Sequence, residues 1–179
     1  AWATPAITGV TSDTFSHVNV YKSRLYFVVK NSLKFAYLPV GVVAGAADTF
    51  ELGDIFTKGG NLVAMGTYTN DGGVGPDDYA VFVTSQGQVA MFQGSDPSDA
   101  NSWSQIGVFD MARPLGKRCM VKVGGDLYLN TELGVIPISQ ALKVDAAALG
   151  TVAITQNISQ AINDSARRYR DNFGWQIIA

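Results

Sequence analysis

The fold is decided by residues 77–103, DDYAVFVTSQGQVAMFQGSDPSDANSW. Two apolar runs rich in Val, Phe and Met flank a short polar turn at Ser85-Gln86-Gly87. A polar loop, 94–102, then leads to Trp103 and a further apolar run. Alternating β-formers bounded by Gly, Ser, Asn and Asp are typical of antiparallel strands joined by tight turns. The stretch therefore predicts a β-hairpin followed by a corner that leads to another strand.

The same strand–turn–strand pattern occurs twice more. It runs over LYFVVKNSLKFAYL (25–38) and over LYLNTELGVIPISQ (127–140), with turns near Ser32 and Gly134. In these two copies a further strand precedes the pattern across a two-residue corner, which is Lys22-Ser23 in one and Gly124-Gly125 in the other. Gly-Gly suits such a corner because glycine accepts positive φ without a Cβ clash. The repeat predicts three units, at 17–58, 61–111 and 117–139.

Four-stranded antiparallel units that recur at about 40–50 residues are the signature of propeller blades. We therefore predict an all-β, mainly antiparallel fold with β-propeller-like blades, and a β-sandwich is the alternative. A propeller normally needs about four blades to close. Because only three units are present, we expect an incomplete propeller within a single β-rich domain, 1–179.

The C-terminal part departs from the repeat. Residues 139–170 predict a small helical insert that begins with Ser139 as an N-cap. The 3.6-residue period predicts that one apolar face holds Ile154, Ile158, Ala161, Ile162 and Tyr169. Residues 173–179 resemble the start of a further strand that stops in mid-run, which predicts that the chain is a fragment of a longer protein. A completed edge strand is the alternative.

Composition excludes several classes of function. Apolar residues make up 47% of the chain, charged residues only 16%, and the net charge is −2. No global basic field is available for specific nucleic-acid binding, and no apolar run is long enough to predict a membrane span. The chain has one cysteine, Cys119, and one histidine, His17. These single residues exclude a disulfide framework and ordinary zinc-site spacing.

Two polar loops are candidate interaction loops. In the first, NDGGVGPDDY (70–79), Asp71, Asp77 and Asp78 supply the oxygen ligands that calcium prefers, but their spacing differs from that of an EF-hand. Turn geometry is the interpretation that we favour for this loop. The second, GSDPSDANSW (94–103), resembles the Asp-box turn of sialidase-like propellers, with Asp96 and Trp103 in place and the glycine absent. There we expect Asp96 to bond the turn backbone and Trp103 to fold back onto the sheet.

Catalytic constellations are missing from the sequence. No Gly-x-Ser-x-Gly elbow is present, and no pair of carboxylates stands out as glycosidase chemistry would require. We therefore predict that the protein is not an enzyme. We name no catalytic residue, no metal ligand and no cofactor.

A family resemblance rests on four stretches and the C-terminal DNFGWQIIA. The stretches are TGVTSDTFSHVNVYKSRLYFV (8–28), YLPVG (37–41), KGGNLVAMGTYTNDGGVGPDDYAVFVTSQGQVAMFQGSDPSDANSW (58–103) and RPLGKRCMVKVGGDLYLNTELGVIPIS (113–139). They resemble virion structural proteins of tailed bacteriophages and prophages, of the kind found in the tail or its connector. The resemblance implies a propeller-like component of an oligomeric particle, without enzymatic activity or cofactor.

The expected partners are therefore other virion proteins or copies of the same chain. The expected location is the phage particle, after synthesis in the bacterial cytoplasm. Two alternatives stay open: a propeller module that binds carbohydrate or a host surface, and a sialidase-like hydrolase. Exposed aromatics at Tyr68, Tyr79 and Trp103 would favour glycan binding. A pocket that holds an arginine beside a carboxylate with a shifted pKa would favour the hydrolase.

Overall fold

A computed structural model describes residues 6–69, 78–170 and 175–179 of the chain. The first sheet is antiparallel and has the strand order β2-β3-β4-β6, while β1 and β5 form a separate parallel ribbon. The strands are β1 (Ile7–Thr8), β2 (Phe15–Tyr21), β3 (Arg24–Val29), β4 (Lys34–Tyr37), β5 (Gly45–Ala46) and β6 (Asp48–Glu51). A 3₁₀ turn, Ser12–Thr14, precedes β2.

The second sheet contains residues 78–94 and begins its last strand at Trp103. Its strands are β7 (Leu62–Thr69), β8 (Asp78–Thr84), β9 (Gln88–Gly94) and β10 (Trp103–Asp110), antiparallel and in chain order. The predicted hairpin turn at Ser85-Gln86-Gly87 joins β8 to β9, so this prediction is confirmed. Gly87 has φ +80°, and a Cβ there would lie 2.5 Å from the Met111 carbonyl oxygen. Only glycine fits this turn.

The third sheet has three antiparallel strands, β11 (Met120–Val123), β12 (Asp126–Thr131) and β13 (Gly134–Pro137). The Gly124-Gly125 corner joins β11 to β12, and Gly124 has φ +63° as the predicted turn requires. The second and third sheets lie within the predicted units 61–111 and 117–139, whereas the first sheet begins at Phe15, two residues before its predicted unit 17–58. The prediction of mainly antiparallel β structure is confirmed, and the described sheets do not close on one another.

A helical segment follows the third sheet, as predicted. It contains α1 (Ile138–Ala141), 3₁₀ turns at Ala146–Thr151 and Gln156–Ile158, and α2 (Ser159–Tyr169). The predicted N-cap is wrong. Pro137 holds the N-cap position, and the Ser139 hydroxyl instead donates to Asp126 Oδ2 at 2.6 Å.

The predicted apolar face of the helix is also wrong. Ile154 lies before α2, which begins at Ser159. Its N–H donates to the Val135 carbonyl of β13 at 2.9 Å, so the backbone of Ile154 is bonded to the third sheet. Ile154 and Ile158 are 59% and 57% exposed, and Tyr169 is exposed as well. The buried residue of α2 is Ala166.

The sheets are stacked with β7 in the middle. On one side β7 contacts β2 and β3, and on the other it contacts β11 and β12. The core between the first and second sheets is largely aromatic and includes Tyr26, Phe35, Phe82, Phe92 and Trp103. The core between the second and third sheets is aliphatic and includes Val81, Val83, Leu127, Leu129 and Ile136. Fully burying each of these side chains contributes about 1.5–3 kcal/mol.

At the C-terminal end, Gln176 forms a single parallel bridge with Arg118. Within the predicted strand at 173–179, residues 175–179 therefore form one β-bridge, at Gln176. Residues 173 and 174 lie outside the described residues. No helix in the described part of the chain is long and apolar enough to cross a membrane.

Candidate functional site

The loop between β9 and β10 folds around its own aspartates. Asp96 Oδ1 accepts hydrogen bonds from the Ser98 N–H at 3.1 Å and from the Ser98 hydroxyl at 2.7 Å. Asp99 Oδ1 accepts from the Asn101 N–H at 2.9 Å. Such side-chain-to-backbone bonds replace the backbone pairing that a tight corner loses. Asp96 thus bonds the turn backbone, as the sequence predicts.

Asp96 also fastens this loop to the first sheet. Its Oδ2 lies 3.2 Å from Arg24 Nη2, and the Arg24 side chain is only 8% exposed. The Arg24 guanidinium lies 5.3 Å from the ring centroid of Tyr37, in cation–π range. The hydrogen bonds from Ser98, with a smaller contribution from Arg24, hold the pKa of Asp96 below its ordinary value. The carboxylate is therefore ionised at neutral pH and engaged within the chain.

Trp103 is part of the core between the first two sheets. It is 6% exposed, and its ring stacks on Phe92 with centroids 5.2 Å apart. It also stacks near Tyr26 and meets Tyr21 edge-on, each with a centroid separation of 6.2 Å. The indole folds back onto the sheet, as the sequence predicts, and is not presented at the surface.

Asp78 joins the same cluster through Tyr21. The Tyr21 hydroxyl donates to the Asp78 carbonyl at 2.7 Å, and the Thr69 hydroxyl donates to Asp78 Oδ1. Burial raises the pKa of Tyr21 to about 12. The structure therefore brings Asp78, Asp96 and Trp103 around one group of tyrosines. Asp71 and Asp77 lie outside the described residues.

Sequence reasoning missed the centre of this cluster, which is Arg24, Tyr26 and Tyr37. No local pattern marks Arg24, since its partner Asp96 lies in a loop of the second sheet, far away in the chain. Three buried donor atoms here, Arg24 Nε, the Tyr26 hydroxyl and Trp103 Nε1, have no partner within the described residues. The cluster combines an arginine with a carboxylate whose pKa is shifted, yet it lines neither of two cavities found beside Arg170. Its chemistry is that of a structural clamp between two sheets.

The groups that could support catalysis are dispersed. His17 is half-buried, and its Nδ1 accepts from the Met65 N–H at 3.5 Å, while burial lowers its pKa. Cys119 is fully buried, and burial raises the pKa of its thiol to about 12. Across 6–69, 78–170 and 175–179, no three His, Cys, Asp or Glu side chains are grouped to hold a metal ion.

Two valines on the outer side of the edge strand β2 are exposed, although Phe27 and Ala36 on the same side of the first sheet are buried. On β2 the side chain of Asn19 reaches the Met65 carbonyl on the second sheet at 2.9 Å. Val18 and Val20 alternate with Asn19 and therefore point away from the second sheet, and each is 55% exposed. The loop after β4 adds three more exposed valines beside the β2–β3 corner, where the Gly41 N–H donates to the Ser23 carbonyl. We call this set the open valine face: Val18, Val20, Val40, Val42 and Val43.

Comparisons with known proteins indicate no function for this chain. No protein-family model matches the sequence, and no curated protein matches it.

Proposed function

We propose that this chain is a non-enzymatic structural component of a bacteriophage or prophage virion, in the tail or the head–tail connector. The observation that carries the proposal is the open valine face. Large exposed apolar patches are typical of protein–protein contacts, and each of these five valines is at least 41% exposed. The resemblance of residues 8–28, 37–41, 58–103 and 113–139 to virion structural proteins supports the same function.

The finer architecture that we propose is an incomplete propeller. In each of the three sheets the first strand, β2, β7 or β11, lies at one edge of its sheet. Strands β2 and β11 both contact β7, so the three first strands lie on one side of the stack. This is the arrangement expected of successive blades around an axis. Another copy of the chain or another virion protein would cover the open valine face.

The use of the polar loop 94–103 also supports a structural function. Asp96 and Trp103 hold the second sheet against the first, so their side chains already serve the fold. The glycan-binding alternative has less support. Tyr68 and Trp103 are each only 6% exposed, which leaves no exposed aromatic platform at these two positions.

The direct test is the protein content of purified particles. Induction of a prophage that carries this coding sequence, followed by gradient purification and mass spectrometry, should find the chain in particles at a fixed ratio to the capsid protein. Deletion of the coding sequence should give heads that lack functional tails, and expression from a plasmid should restore them. Particles that are infectious and free of the chain would contradict the proposal.

A further inference from the structure

A groove with several cations opens where the three sheets meet. One cavity of about 190 Å³ has walls from the first two sheets, from the segment before the third sheet and from the end of the helical segment. The first sheet contributes Lys30 and Asn31, and the second contributes Asn61. Lys117 lies before the third sheet, and Arg170 follows α2.

A second cavity of about 410 Å³ adjoins the first, because Arg170 lines both. One wall has Asn163 and Arg167 of α2 and the C-cap residue Arg170, at the spacing i, i+4, i+7. The opposite wall is the turn between β12 and β13, with Glu132 and Leu133. We call the two adjoining cavities the cationic groove.

The charges in the cationic groove are unequal. Among the described residues, four cations line it, Lys30, Lys117, Arg167 and Arg170, against one carboxylate, that of Glu132. The whole chain has a net charge of −2, so this positive charge is local. Lys117 and Arg167 are both exposed, and within the described part of the chain neither lies within 4.0 Å of a carboxylate.

The cationic groove already contains one carboxylate–arginine ion pair of the kind that an acidic ligand would form. Glu132 Oε2 lies 3.1 Å from Arg170 Nη1, and both side chains are partly exposed, at 40% and 31%. An incoming carboxylate can therefore take the place of Glu132 on Arg170 without unpacking the core. Arginine offers a planar fork of donors that matches a carboxylate.

We propose that the cationic groove binds an acidic peptide segment of a partner protein. Lys117, Arg167 and Arg170 would pair with its carboxylates, and the amides of Asn31, Asn61 and Asn163 would bond its backbone. The residues described along both cavities include no aromatic side chain, so single-stranded nucleic acid would find no stacking surface. This proposal deepens the proposed function, because it gives the chemistry of one assembly partner.

The test is fluorescence anisotropy of a labelled Glu-Gly repeat peptide titrated with the full 179-residue chain at low ionic strength. Arg167→Gln and Lys117→Gln should each weaken binding about two- to fivefold, the effect of losing one exposed ion pair. Glu132→Gln should strengthen binding, because it removes the internal competitor for Arg170. The matched control is Arg168→Gln, since Arg168 is an exposed neighbour that lines neither cavity. Circular dichroism should show the same fold for all four variants.

Each other outcome overturns the proposal. The peptide should bind saturably, so an absence of saturation contradicts the assignment. An equal loss of affinity in the Arg168→Gln control would show nonspecific charge attraction. Tighter binding of an oligothymidylate of equal charge, lost with Arg167→Gln, would assign the groove to nucleic acid instead. None of these results depends on finding the chain in particles, so failure here is distinguishable from failure of the proposed function.

Discussion

Arg24 is the most deeply buried charged residue in the described part of the chain, with 7% of its surface exposed. Its ion pair with Asp96 connects the corner of the first hairpin to the loop of the second sheet. A buried charge without a partner carries its full desolvation cost. Stability should therefore depend on Asp96 more than its partly exposed position suggests.

We predict that Asp96→Asn lowers the free energy of unfolding by about 1–2 kcal/mol, because Asn keeps the turn bonds from Ser98 but loses the charge that faces Arg24. Asp99→Asn is the matched control in the same loop and should change stability by less than about 0.5 kcal/mol. Urea denaturation of both variants measures the difference. Equal losses for the two variants would show that Arg24 does not need Asp96.

His17 should make stability depend on pH just below neutrality. Burial lowers its pKa from the ordinary value of 6.5, so the unfolded chain takes up the proton more readily than the folded chain. The free energy of unfolding should therefore fall as the pH drops below about 6.5. Denaturation at about pH 7 and about pH 5.5 should show this loss in the wild type, and a smaller loss in His17→Gln.

Asp96 and Asp110 affect the free energy of unfolding at a lower pH than His17 does. The pKa values of Asp96 and Asp110 are lowered from 3.8, so the stability that they contribute is lost only as the pH falls through about that value and below. An unchanged pH dependence in His17→Gln would therefore exclude His17 as the titrating group.

At the scale of elements, the two two-residue hairpin corners both place residues at positive φ, but with different residue types. The β11–β12 corner uses Gly-Gly, whereas the β2–β3 corner places Lys22 and Ser23 at φ +49° and +58°. Residues with a Cβ cost about 1 kcal/mol in this left-handed region. The β2–β3 corner is therefore strained relative to its counterpart.

The double substitution Lys22→Asn, Ser23→Gly should raise the free energy of unfolding by about 0.5–1 kcal/mol, because Asn-Gly is the favoured pair for a two-residue hairpin. Thermal unfolding followed by circular dichroism measures the gain. Gly124→Ala, Gly125→Ala at the other corner is the reverse control and should destabilise the protein. A loss of stability in the first variant would show that the Lys22 or Ser23 side chain has a structural function of its own.

The strands were predictable from sequence, whereas the Arg24–Asp96 ion pair between the first two sheets was not. Strand position depends on local alternation and turn residues, and Gly87 and Gly124 occupy the turns that the pattern indicates. The Arg24–Asp96 pair joins residues far apart in the chain, and no local period encodes it. The helix face was mispredicted for the same reason, since bonding of Ile154 to β13 overrides the local 3.6-residue pattern.

At the scale of the whole molecule, the open valine face should cause self-association. We predict a sedimentation coefficient that rises with concentration in the wild type and a constant, monomeric value in the double variant Val18→Ser, Val20→Ser. Both side chains are about half exposed, so the substitutions remove contact surface and little core. A monomeric wild type over the same concentration range would contradict this prediction.

The control for that experiment is Ile154→Ser, Ile158→Ser. These isoleucines are as exposed as the two valines, but they lie in the helical segment near the third sheet. This variant should associate as the wild type does. Loss of association in the control alone would place the contact surface on the helical segment.

The strand order also has a consequence for how the protein is made. Every strand of the second and third sheets pairs with its neighbour in the chain, so each sheet can form as soon as its own residues leave the ribosome. The aromatic face of the first sheet is covered only when the second sheet arrives, and the second sheet's aliphatic face waits for the third. During synthesis the nascent chain therefore always carries one uncovered apolar face, and a pause after residue 61 should make it a substrate for chaperones.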